Sequence, residues 1–273
     1  MSGSADLGAL VSRIEHDLQE YRSRIETIMS EAEKILSEPL PPVPLPPGLE
    51  HEAQQALAWV KAEIRAKLNE LRDAACKLIG YVQDVLAAAQ LPLVISDMRE
   101  GWGGKVSKKL GGISRELENF LSQSQNDPEK WAGVAGIKSA QAVTSQQQAA
   151  GFAEQQAGAM ADTCDSFHGA SVTFLEAVAA AMAGELVMIA VGAIIGAIVG
   201  AVATAPAAGA GAAPGGAAGA MIATAAGAAA ACCVTIAAAA VAYNNGIQQA
   251  IGAFHGIPDA NSDVYPWPRA TTN

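Results

Sequence analysis

Four histidines, four cysteines and the carboxylates beside them are the residues of this chain able to hold a metal or move a proton. His16 and Glu20 stand at i and i+4, so they share a helix face, and His51 lies between Glu50 and Glu52. A zinc site asks for several ligands converging at fixed spacing, as the two histidines of HExxH do. Neither group has a second histidine, and both read as solvated helix faces. His168 has only Cys164 and Asp165 nearby in sequence, and His255 has no carboxylate or thiol within three residues. Cys232 and Cys233 are adjacent, and consecutive helical side chains diverge by about 100°, which makes a poor chelate and a strained disulfide. Cys76 and Cys164 stand singly in helical patterns, as small apolar fillers. There is no phosphate loop, dinucleotide fingerprint or nucleophile elbow. The expectation is a protein that is not an enzyme, with no catalytic residue, metal or cofactor.

The elements that would carry such residues are helical. Strand-like alternation of β-branched and polar residues is nearly absent, and Ala, Leu, Glu, Gln and Lys dominate, so the fold class expected is all-α. Apolar residues at Leu7, Val11, Ile14, Leu18, Tyr21, Ile25, Ile28, Ala32 and Ile35 alternate in steps of four and three, a heptad stripe. Residues 39–48, Pro39-Leu40-Pro41-Pro42-Val43-Pro44-Leu45-Pro46-Pro47-Gly48, form a stiff extended spacer. A second stripe follows at Leu57, Val60, Ile64, Leu68, Leu71, Ala75, Leu78, Val82 and Val85, ending before Pro92. The segment Leu93–Met98 suits either a short strand or a new helix, and Gly101-Trp102-Gly103-Gly104 interrupts it. A third helix is expected with Val106, Leu110, Ile113, Leu117 and Phe120 on its seam. Asp127 and Pro128 announce another helix start, and with no proline before Pro206 one continuous helix is expected from Pro128 to Thr204.

From Leu186 to Pro258 the chain holds no Asp, Glu, Lys or Arg. Its first half, to Thr204, and its second, Ala217 to Tyr243, are each long enough to cross a bilayer, which takes roughly 17 to 25 residues. Between them Pro206, Pro214, Gly215 and Gly216 let the chain reverse, so residues 186–258 read as an apolar helical hairpin. Gly192, Gly196 and Gly200 fall on one face, and Gly215, Gly219 and Gly227 offer a matching face on the return helix; smooth faces of this kind let two backbones come close. A helix apolar all round can also be the buried core of a soluble bundle, and the return helix is mostly alanine. The chain thus divides into a heptad helix (1–38), a spacer (39–48), a long-helix bundle (49–185), the hairpin and an irregular tail (259–273), in an elongated, coiled-coil-like arrangement.

Trp131-Ala132-Gly133-Val134-Ala135-Gly136, followed by Ala140-Gln141-Ala142 and a Gln- and Ala-rich helix carrying Phe152, resembles the WxG family of small helical-hairpin proteins exported by type VII secretion systems. Trp102-Gly103-Gly104 is a second Trp-x-Gly match. The resemblance covers roughly residues 106–174. It implies that Trp131 and Gly133 mark the corner between two antiparallel helices, and that the protein is exported and pairs with itself or with another helical hairpin. The family's Tyr-x-x-x-Asp/Glu export signal has no match, since no tyrosine lies between Tyr81 and Tyr243. Long heptad helices joined to a charge-free hairpin also resemble, in architecture only, the cytolysin A group of α-helical pore-forming toxins, which implies a soluble form and an inserted oligomer.

The net charge of −10 and the absence of any basic cluster argue against a nucleic-acid partner. The N-terminus lacks the basic start, apolar run and cleavage site of a secretory signal. The functional expectation is therefore a helical protein secreted without a cleavable signal peptide, or membrane-associated, that engages membrane lipid conditionally through the hairpin and acts as a homo-oligomer or with a helical partner. The competing class is a scaffold whose hairpin stays buried in a soluble oligomer.

Overall fold

The computed structural model describes residues 3–39, 50–125, 133–208 and 216–255. These residues are all-α: α1 (Gly3–Ser37), α2 (Glu50–Ala88), α3 (Gln90–Arg99), a π-helical segment (Glu100–Ser107), α4 (Lys108–Gln125), α5 (Val134–Met188), α6 (Val191–Ala208) and α7 (Gly216–His255). Most of the expected spacer, residues 209–215 between α6 and α7, and the tail lie outside them. The described residues form two compact units, one of 3–7, 90–173 and 242–255, the other of 8–89 and 174–241.

In the second unit the heptad stripes are the core. Ile14, Leu18, Tyr21, Ile25, Ile28 and Ala32 of α1 are buried, and Leu36 is buried where Ile35 was expected. On α2 the buried row is Ala53, Ala56, Val60, Ile64, Leu68, Leu71, Ala75, Leu78 and Val82. The two helices run antiparallel: Lys61 of α2 reaches the end of α1, where its Nζ donates to the carbonyls of Leu36 at 2.9 Å and Glu38 at 3.1 Å, and Arg65 stands 4.0 Å from Glu33. Lys61 thereby caps carbonyls that a helix end leaves without amide partners. α6 lies against α2, burying Ile194, Ile198, Ala201, Val202 and Ala205.

The first unit is organised by an antiparallel pairing of the α3-to-α4 stretch with α5. Arg99 forms an ion pair with Asp165. A Cβ on Gly103 would stand 3.0 Å from the Ala161 Cβ, one on Gly111 would collide with the Glu154 carboxylate, and one on Gly151 would lie 3.9 Å from Ser114 Oγ. Each of these pairs is symmetric about residue 132 to within one residue. Two helices paired in that register form a hairpin whose midpoint in sequence falls next to Gly133. Gly133 has a φ of +92°, a left-handed conformation that glycine adopts without steric cost, and its carbonyl accepts from the Ile137 amide at 3.2 Å to open α5.

Three expectations are corrected. The seam assigned to α4 is largely its outer face: Val106, Ile113 and Phe120 are exposed while Gly111 is buried. α4 approaches α5 through the small residues Gly111 and Ser114, while Leu110 and Leu117 are half-buried. Gly101–Gly104 does not interrupt the chain, because the stretch winds as a π-helix that continues α3 into α4. The long helix is not continuous to Thr204: it stops at Met188, Ile189 and Ala190 belong to neither helix, and α6 begins at Val191. α6 then runs on through Pro206 to Ala208. No proline or glycine sits at the break itself, and the Arg24 guanidinium on α1 donates to the carbonyls of Leu186 and Ile189.

Candidate membrane-active hairpin

α6 and α7 are two-faced, though both faces are apolar. α6 turns Ile194, Ile198, Ala201, Val202 and Ala205 inward and leaves Gly192, Ala193, Gly196, Val199, Gly200 and Ala203 exposed. α7 buries Ala218, Ile222, Ala225, Ala229, Cys232 and Ile236 at steps of four and three, a heptad row that alternation of alanine with a few larger residues makes possible. Its outer face carries Met221, Val234, which is 69% exposed, and Val241. Val187 and Met188, at the end of α5, are exposed as well. Two helical stretches, within Val134–Pro206 and Gly216–Gly252, are long and apolar enough to cross a membrane, and only 33% and 22% of their most apolar windows are buried.

The glycines singled out above fall in three places. Gly192, Gly196 and Gly200 share the exposed face of α6, and a Cβ built on any of them would meet no atom within 4 Å. Gly227 is exposed and equally open. Gly219 is buried instead against α2, with Glu63 Oε1 3.7 Å from where a Cβ would stand. That position puts the Glu63 carboxylate beside the first turn of α7, where a helix favours negative charge. Gly215 and Trp131 lie outside the described residues. In this form the α6 glycine face therefore packs on none of the described residues.

Beneath the hairpin lies a polar cluster that the sequence reading did not identify. Glu185 is 3% exposed, and its Oε1 has no hydrogen-bond partner among the described residues. Burial pushes its carboxyl up to about 7. Tyr21 faces it from α1, fully buried, its hydroxyl also without a partner among the described residues; burial first, and the Glu185 charge second, raise the phenol far above its usual range. A signal for this cluster exists in the sequence, because Glu185 is the only charged residue between Glu176 and Asp259. An acid so isolated in an apolar run is either buried or at a boundary.

The residues weighed for chemistry stay apart. Gln55 Nε2 and His51 Nε2 are 2.8 Å apart on an exposed face. All four cysteines are free; Cys76 is exposed, Cys164 and Cys232 are buried, and Cys233 is half-buried. Among the described residues no group of three or more His, Cys, Asp or Glu is placed to hold a metal ion. No protein-family model, curated protein or solved structure matches the chain.

Proposed function

We propose that this is a non-enzymatic, exported helical protein whose apolar hairpin interacts with and inserts into lipid bilayers, as pore-forming proteins do. One observation carries the reading: the most apolar part of the chain is also poorly buried, with Val187, Val199, Val234 and Val241 displayed to water. The core helices of a soluble protein hide such faces, and contiguous apolar surface marks a membrane or partner site. The open glycine face of α6 supports an oligomer in the inserted state, since it admits a second backbone at close range. Export through a type VII-like route is supported by the Trp131-Ala132-Gly133 resemblance and by the antiparallel register centred beside Gly133.

Dye release from lipid vesicles tests the reading. Val199→Lys with Val234→Lys changes two exposed positions, so the soluble fold is retained by circular dichroism. Each buried lysine would cost an inserted helix about 2.5–3.5 kcal/mol on insertion scales. The expected outcome is release by the native chain and loss of release by the double variant; equal release by both would sink the proposal. The second reading, a scaffold whose hairpin is covered in a soluble oligomer, is favoured by the alanine-rich outer face of α7, which partitions weakly into lipid. It requires no release by either protein, and an oligomer that the double variant dissociates.

A further inference from the structure

Nothing local explains why the helix breaks after Met188. Residues 186–194 contain no proline, and their one glycine, Gly192, lies inside α6. In an uninterrupted helix the Leu186 carbonyl would accept from the Ala190 amide, and the Ile189 carbonyl from the Ala193 amide. Here the Ala190 amide donates to Met188 at 3.1 Å and the Ala193 amide to Ala190 at 3.0 Å. Ordinary four-residue pairing holds on both sides, from Ile189 to Glu185 and from Ile194 to Ala190, each at 3.1 Å. The break thus takes the Leu186 and Ile189 carbonyls away from their own amides.

One side chain takes both. Arg24 Nη1 donates to Leu186 O at 2.5 Å and to Ile189 O at 3.3 Å. Its Nη2 donates to Glu20 Oε1, one turn back on α1, at 2.5 Å. A guanidinium suits this task because its donors are fixed in a plane, always charged, and able to serve two acceptors at once. Without it, two partly buried carbonyls would stand unpaired, which a fold does not tolerate cheaply.

We propose that Arg24 is a latch: it holds the α5–α6 break, and when it disengages, residues 186–194 close into continuous helix and redirect α6, carrying the apolar hairpin off α2. This names the regulation of the hairpin, and to that extent it rests on the membrane reading above. The released carbonyls recover their own amides, so the continuous form keeps its backbone hydrogen bonds. What it gives up is the burial of Ile194, Ile198 and Val202 against α2. Two arrangements with opposing terms of this kind make a bistable element that a single contact can bias.

The break is measurable without a membrane. Spin labels on Ala62 of α2 and Ala203 of α6, both exposed and each changed to cysteine, report their separation by pulsed electron resonance in the full chain, with the exposed Cys76 and the half-buried Cys233 replaced by serine. The native protein is expected to give one short distance. Arg24→Met, which keeps the stem and removes every donor, should add a longer population, enriched about tenfold to a hundredfold as a charge-assisted hydrogen bond implies. Arg24→Lys should fall between them. Glu20→Gln, at a partly exposed side chain, should shift the distance the same way by less, and it serves if Arg24→Met does not fold. An unchanged single distance in Arg24→Met, or in Glu20→Gln where Arg24→Met fails to fold, overturns the latch. Dye release on the same proteins is read separately: a longer distance without added release upholds the latch and counts against the membrane reading, while added release at an unchanged distance overturns the latch alone.

Discussion

A Cβ placed on Gly103 would stand 3.0 Å from the Cβ of Ala161, so the π-helical segment lies as near to α5 as a glycine allows. A Cβ at that range forces its neighbour to give way by a few tenths of an ångström. Gly101, two residues earlier, has nothing within 4 Å of its own Cβ position. Gly103→Ala should therefore lower the melting temperature, while Gly101→Ala should leave it unchanged or raise it, since alanine gains up to about 1 kcal/mol over glycine in a helix. Thermal denaturation followed by circular dichroism separates the two, and equal effects would contradict the close approach.

Glu185 makes stability depend on pH with a definite sign. Its folded carboxyl titrates at about 7, against an ordinary 4.5. Between those values the folded protein keeps a proton that the unfolded chain has lost, so stability is highest below 4.5 and falls as pH rises through 7. The span corresponds to roughly 3 kcal/mol. The groups that face it are Tyr21 from α1 and Cys232 and Cys233 from α7. In denaturant titrations Glu185→Gln should flatten the decline between 4.5 and about 7; an unaltered slope would place the dependence elsewhere.

Gly196 is exposed in the soluble form and has open space around its Cβ position. Gly196→Leu should therefore leave the folded protein intact, or slightly more stable. In the inserted oligomer the same leucine would hold two backbones apart, and vesicle leakage should fall steeply. Ile195→Leu, one position along, is the control and should do far less. Leakage that survives Gly196→Leu would remove the glycine face from the oligomer.

Lys61 holds the end of α1 through the Leu36 and Glu38 carbonyls. Lys61→Met keeps the apolar stem and removes the donors. A loss of about 1 kcal/mol is expected from the cap and its favourable charge at a helix C-terminus. High salt should not restore the loss, since hydrogen bonding as well as charge is removed. A denaturant midpoint that does not move would show that water serves those carbonyls equally well.

Much of the fold was legible because heptad spacing is a local property. The stripes on α1 and α2 fell on the buried faces almost residue for residue, with exchanges only at the margins, such as Leu36 for Ile35. The α4 seam misled for the opposite reason. Spacing says which residues share a face but not which face meets a neighbour, and here Gly111 and Ser114 allowed the closer approach. The break at Ile189 was invisible because the group that meets its carbonyls, Arg24, lies 162 residues from Leu186, and a solvated arginine beside a heptad stripe carries no mark of such a contact. The hairpin was legible as an apolar stretch, whereas its exposure was not, because composition does not tell a buried helix from an uncovered one.

The missing charges of the hairpin also govern how its surroundings are probed. After Lys138 the next lysine or arginine is Arg269, so trypsin leaves α6 and α7 inside one long peptide whatever covers them. Resistance to trypsin therefore carries no information about whether lipid, another copy or nothing lies on the hairpin. A protease that cuts after small residues reads the same region at Ala193 and Ala203, which are exposed on α6, and its cleavage pattern with and without vesicles maps the face that becomes covered.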